Sequence, residues 1–134
     1  MTATANRWLL ALLLAYGAAS LIHFIHNAEF LHQYPGLPDT WSRLGVYLAW
    51  VGMTTVGAIG SILYFRGYRR LGLAALAVYA ALGLDSLGHY VVAPLSAHTT
   101  AMNSTILMEV GAAAIVLLEV MRRAFGEFRG AARP

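Results

Sequence analysis

The chain has 134 residues, 59% of them hydrophobic and 11% charged, with no cysteine and a formal charge of +3. That is too apolar for a water-soluble domain of this length, and the missing cysteine excludes disulfides, thiolate metal sites and iron–sulfur clusters. All the basic residues are arginines beside apolar stretches, where they act as topology signals and lipid-headgroup contacts and not as a nucleic-acid surface.

Four apolar stretches follow one another, each near the roughly 20 residues a helix needs to cross a bilayer; they cover about 8–34, 42–64, 71–92 and 100–120. The first opens after Arg7. Its Gly17-Ala18-Ala19 run imitates a signal-peptidase site, but the apolar stretch continues past Ala19, so it reads as a retained helix. It ends in the turn-rich segment Tyr34-Pro35-Gly36-Leu37-Pro38-Asp39.

The second stretch carries Gly45, Gly52, Gly57 and Gly60 with Thr54 and Ser61, a composition for close helix packing. Trp50, Thr54, Gly57 and Ser61 share one face, and packing is preferred there to a small cavity. The short loop Arg66–Arg70 makes the second and third helices antiparallel neighbours. Ala74, Ala77 and Ala81 give the third helix a tight-packing face, and Pro94 lies beyond its end. In the fourth, Glu119 precedes Arg122 and Arg123 at ion-pair spacing. Trp8, Trp41, Tyr34, Tyr64 and Tyr68 near helix ends fit an interfacial aromatic belt.

The expected fold is therefore an all-α integral membrane protein, one four-transmembrane-helix antiparallel bundle formed by residues 1–134. Arg7, Arg66, Arg69, Arg70, Arg122, Arg123, Arg129 and Arg133 fall on one face of that topology, and Arg43 alone on the other. The positive-inside rule then puts both termini in the cytoplasm of a cell (inner) membrane.

Inside the apolar stretches lies the chemistry. At 1.5 Å rise per residue, His23 and Asp85 sit about 13–18 Å below the breaks that follow them, and Glu109 is about 13 Å into the last helix. His23, His26, Asp85, His89 and Glu109 thus share one slab in the outer half of the bilayer, toward the periplasmic or extracellular side. His23, His26 and Asn27 share a helix face, and Asp85 and His89 are spaced i,i+4. Intramembrane ionisable groups are costly and mark bound ions or pathways. Imidazole plus carboxylate without sulfur suits a divalent transition metal such as zinc, iron or copper. The expected ligands are His23, His26 and His89, with Asp85 and Glu109 as further ligands or as carboxylates that orient the imidazoles. His98 can fold over the site from its loop, and Asn103 can donate to a ligand. Glu29 belongs to the rim, and His32, roughly opposite His23, reads as interfacial.

Two short runs carry resemblances. His23-Phe24-Ile25-His26-Asn27 resembles a histidine box of membrane di-iron desaturases and hydroxylases, which have more histidines and cytoplasm-facing boxes. Asp85-Ser86-Leu87-Gly88-His89 with His98 resembles the intramembrane Asp/His/His copper site of particulate methane monooxygenase, with a shorter gap to the last histidine. Each implies a metal and covers only its own segment.

The leading expectation is a small metalloprotein, either an enzyme on a lipophilic substrate or a copper or zinc handling protein. The alternatives are an accessory membrane subunit whose polar residues only fix helix packing, and a haem protein with His26 and His89 as axial ligands. The partners expected are the lipid bilayer and a homo-oligomer or larger membrane complex, with no nucleic acid.

Overall fold

The computed structural model describes residues 3–131. It consists of α1 (Ala3–Glu29), α2 (Arg43–Phe65), α3 (Arg69–Leu84), α4 (His89–Val92) and α5 (Thr100–Ala131), with short 3-10 turns at Leu31–Gln33, Asp85–Gly88 and Leu95–Ala97. There is no strand among the described residues. Four helical spans are long and apolar enough to cross a membrane: Thr4–Glu29, Arg43–Phe65, Arg69–Val92 and Thr100–Glu127. Arg133, which entered the charge-asymmetry argument, lies outside the described residues.

Helix limits follow local chemistry. Ser42 caps α2 by accepting from the Gly45 amide at 3.1 Å. Gly67, at φ 95°, turns the chain between α2 and α3. Thr99 receives the Met102 amide on its hydroxyl at 3.3 Å and starts α5. The first apolar stretch leaves α-helical geometry at Glu29, earlier than the expected 34, and closes with a 3-10 turn. The last runs beyond the expected 120, held by ion pairs of Glu119 with Arg122 and Arg123 and of Glu127 with Arg69.

The third stretch does not form one continuous α-helix. Asp85–Gly88 is a 3-10 segment that opens with the Asp85 amide bonded to the Leu82 carbonyl. Asp, Ser and Gly are poor helix-interior residues. In addition the Ser86 hydroxyl donates to Glu109 on α5 at 2.6 Å, which ties this segment to another helix.

Packing makes the bundle antiparallel. Going up α2, Gly57, Gly60 and Tyr64 meet Tyr79, Leu76 and Gly72 going down α3. A Cβ on Gly57 would stand 2.7 Å from the Tyr79 ring, and one on Gly72 would stand 2.5 Å from the Tyr64 backbone. These glycines therefore set the α2–α3 distance; Gly57 and Gly60 belong to the expected small-residue pattern, Gly72 does not, and Gly45 and Gly52 are exposed. α5 packs along both α1 and α3, whereas α1 against α2 is the loosest of the four neighbouring pairs.

The core has two ends. One is apolar and aromatic: Leu9, Tyr16, Leu76, Tyr79, Val116 and Val120 are buried, with the Tyr16 hydroxyl donating to the Tyr79 carbonyl at 3.0 Å. The other end surrounds Tyr34, Met102 and Ile106 and holds the polar cluster. Large apolar side chains also cover the outside, with Leu14, Leu44, Leu71, Val91 and Leu118 all more than 60% exposed.

Candidate functional site

The polar cluster forms where α1, the 34–42 loop, the 85–92 segment and α5 meet. α1 contributes His23 and Asn27, one turn apart and both buried. His23 Nδ1 lies 3.3 Å from the Thr105 hydroxyl, and its Nε2 lies 3.7 Å from a Glu109 carboxylate oxygen. Glu109 is fully buried and accepts from Ser86. The Asn27 amide is 3.2 Å from His89 Nε2, and the rings of His23 and His89 are 5.5 Å apart, edge to face.

A tyrosine is at the centre. Tyr34, read from sequence as part of an interfacial belt, is only 4% exposed. Its hydroxyl shares a 2.8 Å hydrogen bond with His26 Nδ1, and its ring lies 5.0 Å from that of His89. Burial pushes its phenol up to about 12, so it stays neutral. The loop that carries it is held down by Gly36. This residue has φ 75° and approaches α4 so closely that a Cβ would stand 2.8 Å from the Val92 carbonyl oxygen. Only glycine accepts both conditions.

His98 comes in from the last loop, as expected, and is buried with its ring 6.1 Å from that of His89. Its Nδ1 sits 3.1 Å from the Pro94 carbonyl. A carbonyl only accepts, so Nδ1 carries the proton and Nε2 of the neutral ring is a bare lone pair. That Nε2 is buried without a partner, as are Asn27 Oδ1, His89 Nδ1 and Glu109 Oε1. Buried polar atoms are normally satisfied. Four exceptions gather in this neighbourhood, while Asn6 Oδ1, Ser20 Oγ, Trp50 Nε1 and Thr54 Oγ1, also without partners, are spread along the bundle.

Several expected site residues take other places than the helical spacing implied. Asp85 is exposed, at the rim of the cavity described below; 3-10 geometry advances about 120° per residue, so four residues no longer stack it over His89 as they would on an α-helix. His26 reaches the cluster only through Tyr34. Asn103 is a loop anchor: it donates to the Leu95 and His98 carbonyls and accepts from Tyr90. Glu29 joins α1 to α2 through Tyr47 and Arg43, each 2.6 Å away. His32 is exposed, as expected. Among the described residues, no group of three or more His, Asp or Glu side chains is disposed to hold one metal ion.

Thr105, Ser86 and Tyr34 were not foreseen as site residues. Thr105 stands one turn before Glu109 on the same helix face, which is a usable signal. Tyr34 and Ser86 arrive through a loop and a 3-10 turn, and no periodicity marks them.

A cavity of about 650 Å³ opens onto this cluster between α1, α2 and the 85–92 segment. Its polar wall is His23, Asn27, Asp85, Ser86 and His89, and the 34–42 loop covers it with Leu37, Pro38 and Trp41. No arginine lines it. No protein-family model, curated protein or solved structure matches the chain.

Proposed function

We propose that the protein is a multi-pass membrane protein that binds a small molecule in this cavity, with His23, Asn27, His89 and Glu109 as its working polar groups. Membrane insertion is supported by the apolar outer surface, which bulk lipid would cover. The arginine asymmetry supports cytoplasmic termini, and so a cavity toward the periplasmic or extracellular side.

One observation carries the ligand reading: Asn27 and His89, each with a buried polar atom that has no partner, line an accessible cavity, while His98 and Glu109 stand behind its wall against His89, His23 and Ser86. Each such atom left unmade costs about 1–3 kcal/mol, a cost that a ligand's own hydrogen-bonding groups offset. The paired His23 and Glu109, adjacent to Ser86 on the cavity wall, can also take or give a proton. That suits proton-transfer chemistry on a bound molecule.

A second reading, a metal centre, has a specific observation in its favour. His98 donates Nδ1–H to a backbone carbonyl and leaves Nε2 bare, the usual support of a metal-bound imidazole. A zinc, iron or copper ion would start from His98, and His23, His89 and Glu109 would have to draw closer together than they stand here to join it. Exposed Asp85 and tyrosine-bound His26 would stay outside. Haem has no comparable support.

The test is mass spectrometry and elemental analysis of the purified protein, beside His89→Phe. A molecule retained near one per chain by the wild type and lost in the variant is the expected result. Stoichiometric metal lost in His98→Ala would favour the second reading. An empty wild type, with variants that only melt earlier, would leave helix packing as the role of the cluster.

A further inference from the structure

The seam between α1 and α2 holds a second cavity. It is about 360 Å³, lined by Leu10, Leu13, Leu14, Gly17, Ala18 and Leu21 from α1, with Trp50, Thr54, Gly57, Ala58 and Ser61 opposite. Sequence reading favoured packing for the Trp50, Thr54, Gly57, Ser61 face. In the structure that face borders this cavity, while Gly57 also packs on Tyr79 behind it. The linings of the two cavities come within one helical turn of each other. Phe24 of the polar cavity is one turn from Leu21 of the seam, and Ala49 is next to Trp50.

We infer that the ligand is an uncharged single-chain amphiphile, with its hydroxyl-bearing head in the polar cavity and its hydrocarbon tail along the α1–α2 seam. The inference rests on the ligand reading above and names the ligand's class.

Three observations carry it. The head cavity presents acceptors and no guanidinium: Asn27 Oδ1 is unpartnered and Asp85 and Ser86 lie on the wall. Such a wall receives hydroxyl donors; His89 Nδ1–H, whose Nε2 accepts from the Asn27 amide, adds one donor for a hydroxyl oxygen, and the lining has no arginine to pair with a phosphate or carboxylate. The seam is long and apolar. Leu10 to Leu21 spans eleven steps of α-helix, about 16 Å, roughly half the hydrocarbon thickness of a bilayer, about 30 Å. Finally, Trp50 Nε1 and Thr54 Oγ1 in the upper seam are buried without partners. The indole only donates, so an ester or ether oxygen linking head to tail would satisfy it. A monoacylglycerol has all three parts.

The test uses the full chain in detergent micelles, with short-chain and long-chain monoacylglycerols and a long-chain alkyl phosphate as probes. Binding is read by native mass spectrometry and by titration. Gly17→Leu fills the seam from α1; Ala58→Phe fills it from its exposed rim and guards against a folding failure in the first variant. The wild type should bind the long-chain monoacylglycerol, and each filled variant that melts normally should lose at least about tenfold in affinity for it, since even two displaced methylenes reach that size. Short-chain binding should be unchanged. If filling the seam leaves long-chain binding intact, the tail assignment is overturned. If Asn27→Leu still abolishes binding in that case, the ligand reading stands. Equal or tighter binding of the alkyl phosphate would overturn the head assignment. A wild type that binds neither monoacylglycerol would overturn the whole inference, with the co-purification test then deciding the ligand reading separately.

Discussion

The two ends of the bundle differ in how fully their buried polar groups are partnered: near the termini Asn6 Oδ1 is without a partner, against four such atoms in the polar cluster. At the end near the chain termini, the Arg123 guanidinium is buried, and each of its three nitrogens has an acceptor. It donates to Glu119 at 2.7 Å, to the Tyr64 hydroxyl at 2.7 Å and to the Ala5 carbonyl at 2.5 Å. One side chain thereby joins α1, α2 and α5. At the other end, His89, His98, Asn27 and Glu109 are equally buried, and each keeps an atom without a partner. A buried charge whose three nitrogens all find acceptors holds helices together. Buried groups that keep unused atoms beside a cavity are available to something that enters it.

Substitutions can break this contrast, and the largest effect is expected at the end near the termini. Arg123→Met leaves Glu119 and the Tyr64 hydroxyl short of a partner at three helices' junction. It should lower stability by about 3–5 kcal/mol, as for a broken buried pair, while any retained ligand stays bound by the surviving folded fraction. Calorimetry in detergent checks the first part. Next comes Gly36→Ala, which adds positive-φ strain and a collision with the Val92 carbonyl oxygen. A loss of about 1–3 kcal/mol is expected, with faster proteolysis in the 34–42 loop as the sign that the cover over the cavity has loosened.

Smaller in stability and larger in function is Glu109→Gln. The amide keeps the shape and can still accept from Ser86, so the melting point should move by less than about 1 kcal/mol equivalent, but the carboxylate is gone and ligand retention should fall. The smallest effect is expected for Arg122→Ala. Its side chain is 65% exposed, so removing its pair with Glu119 should leave the thermal melt unchanged within error. If Arg122→Ala proved as damaging as Arg123→Met, the partnering of the buried guanidinium would not be what holds that end.

How far the sequence reached differs along the same line. Runs of apolar residues between arginines located four helices, because length and hydropathy alone decide whether a segment can satisfy its backbone in lipid. Gly57 and Gly60 announced the α2 side of the α2–α3 contact for a similarly local reason, but on α3 the contact is made by Gly72, and Ala74 and Ala81 of the expected face are exposed. His23, Asn27, His89, His98 and Glu109 were legible as polar intrusions. Their partners were not. Asp85 moved to the cavity rim because a 3-10 turn replaces the α-helix there, and Ser86 of that turn is bonded to Glu109 on a distant helix. Tyr34 entered because Gly36 folds the first loop against Val92. Both are tertiary effects that helical periodicity does not encode.

The central claim is that the unpaired polar end is a ligand site and not a helix fastener. Its most direct test is one paired measurement on wild type and Glu109→Gln: the amount of molecule retained through purification, and the melting temperature. The account expects the wild type to carry a ligand that the variant loses, with both melting alike once the ligand has been extracted. A ligand-free wild type together with a variant that melts far lower would contradict it and make the cluster a structural one.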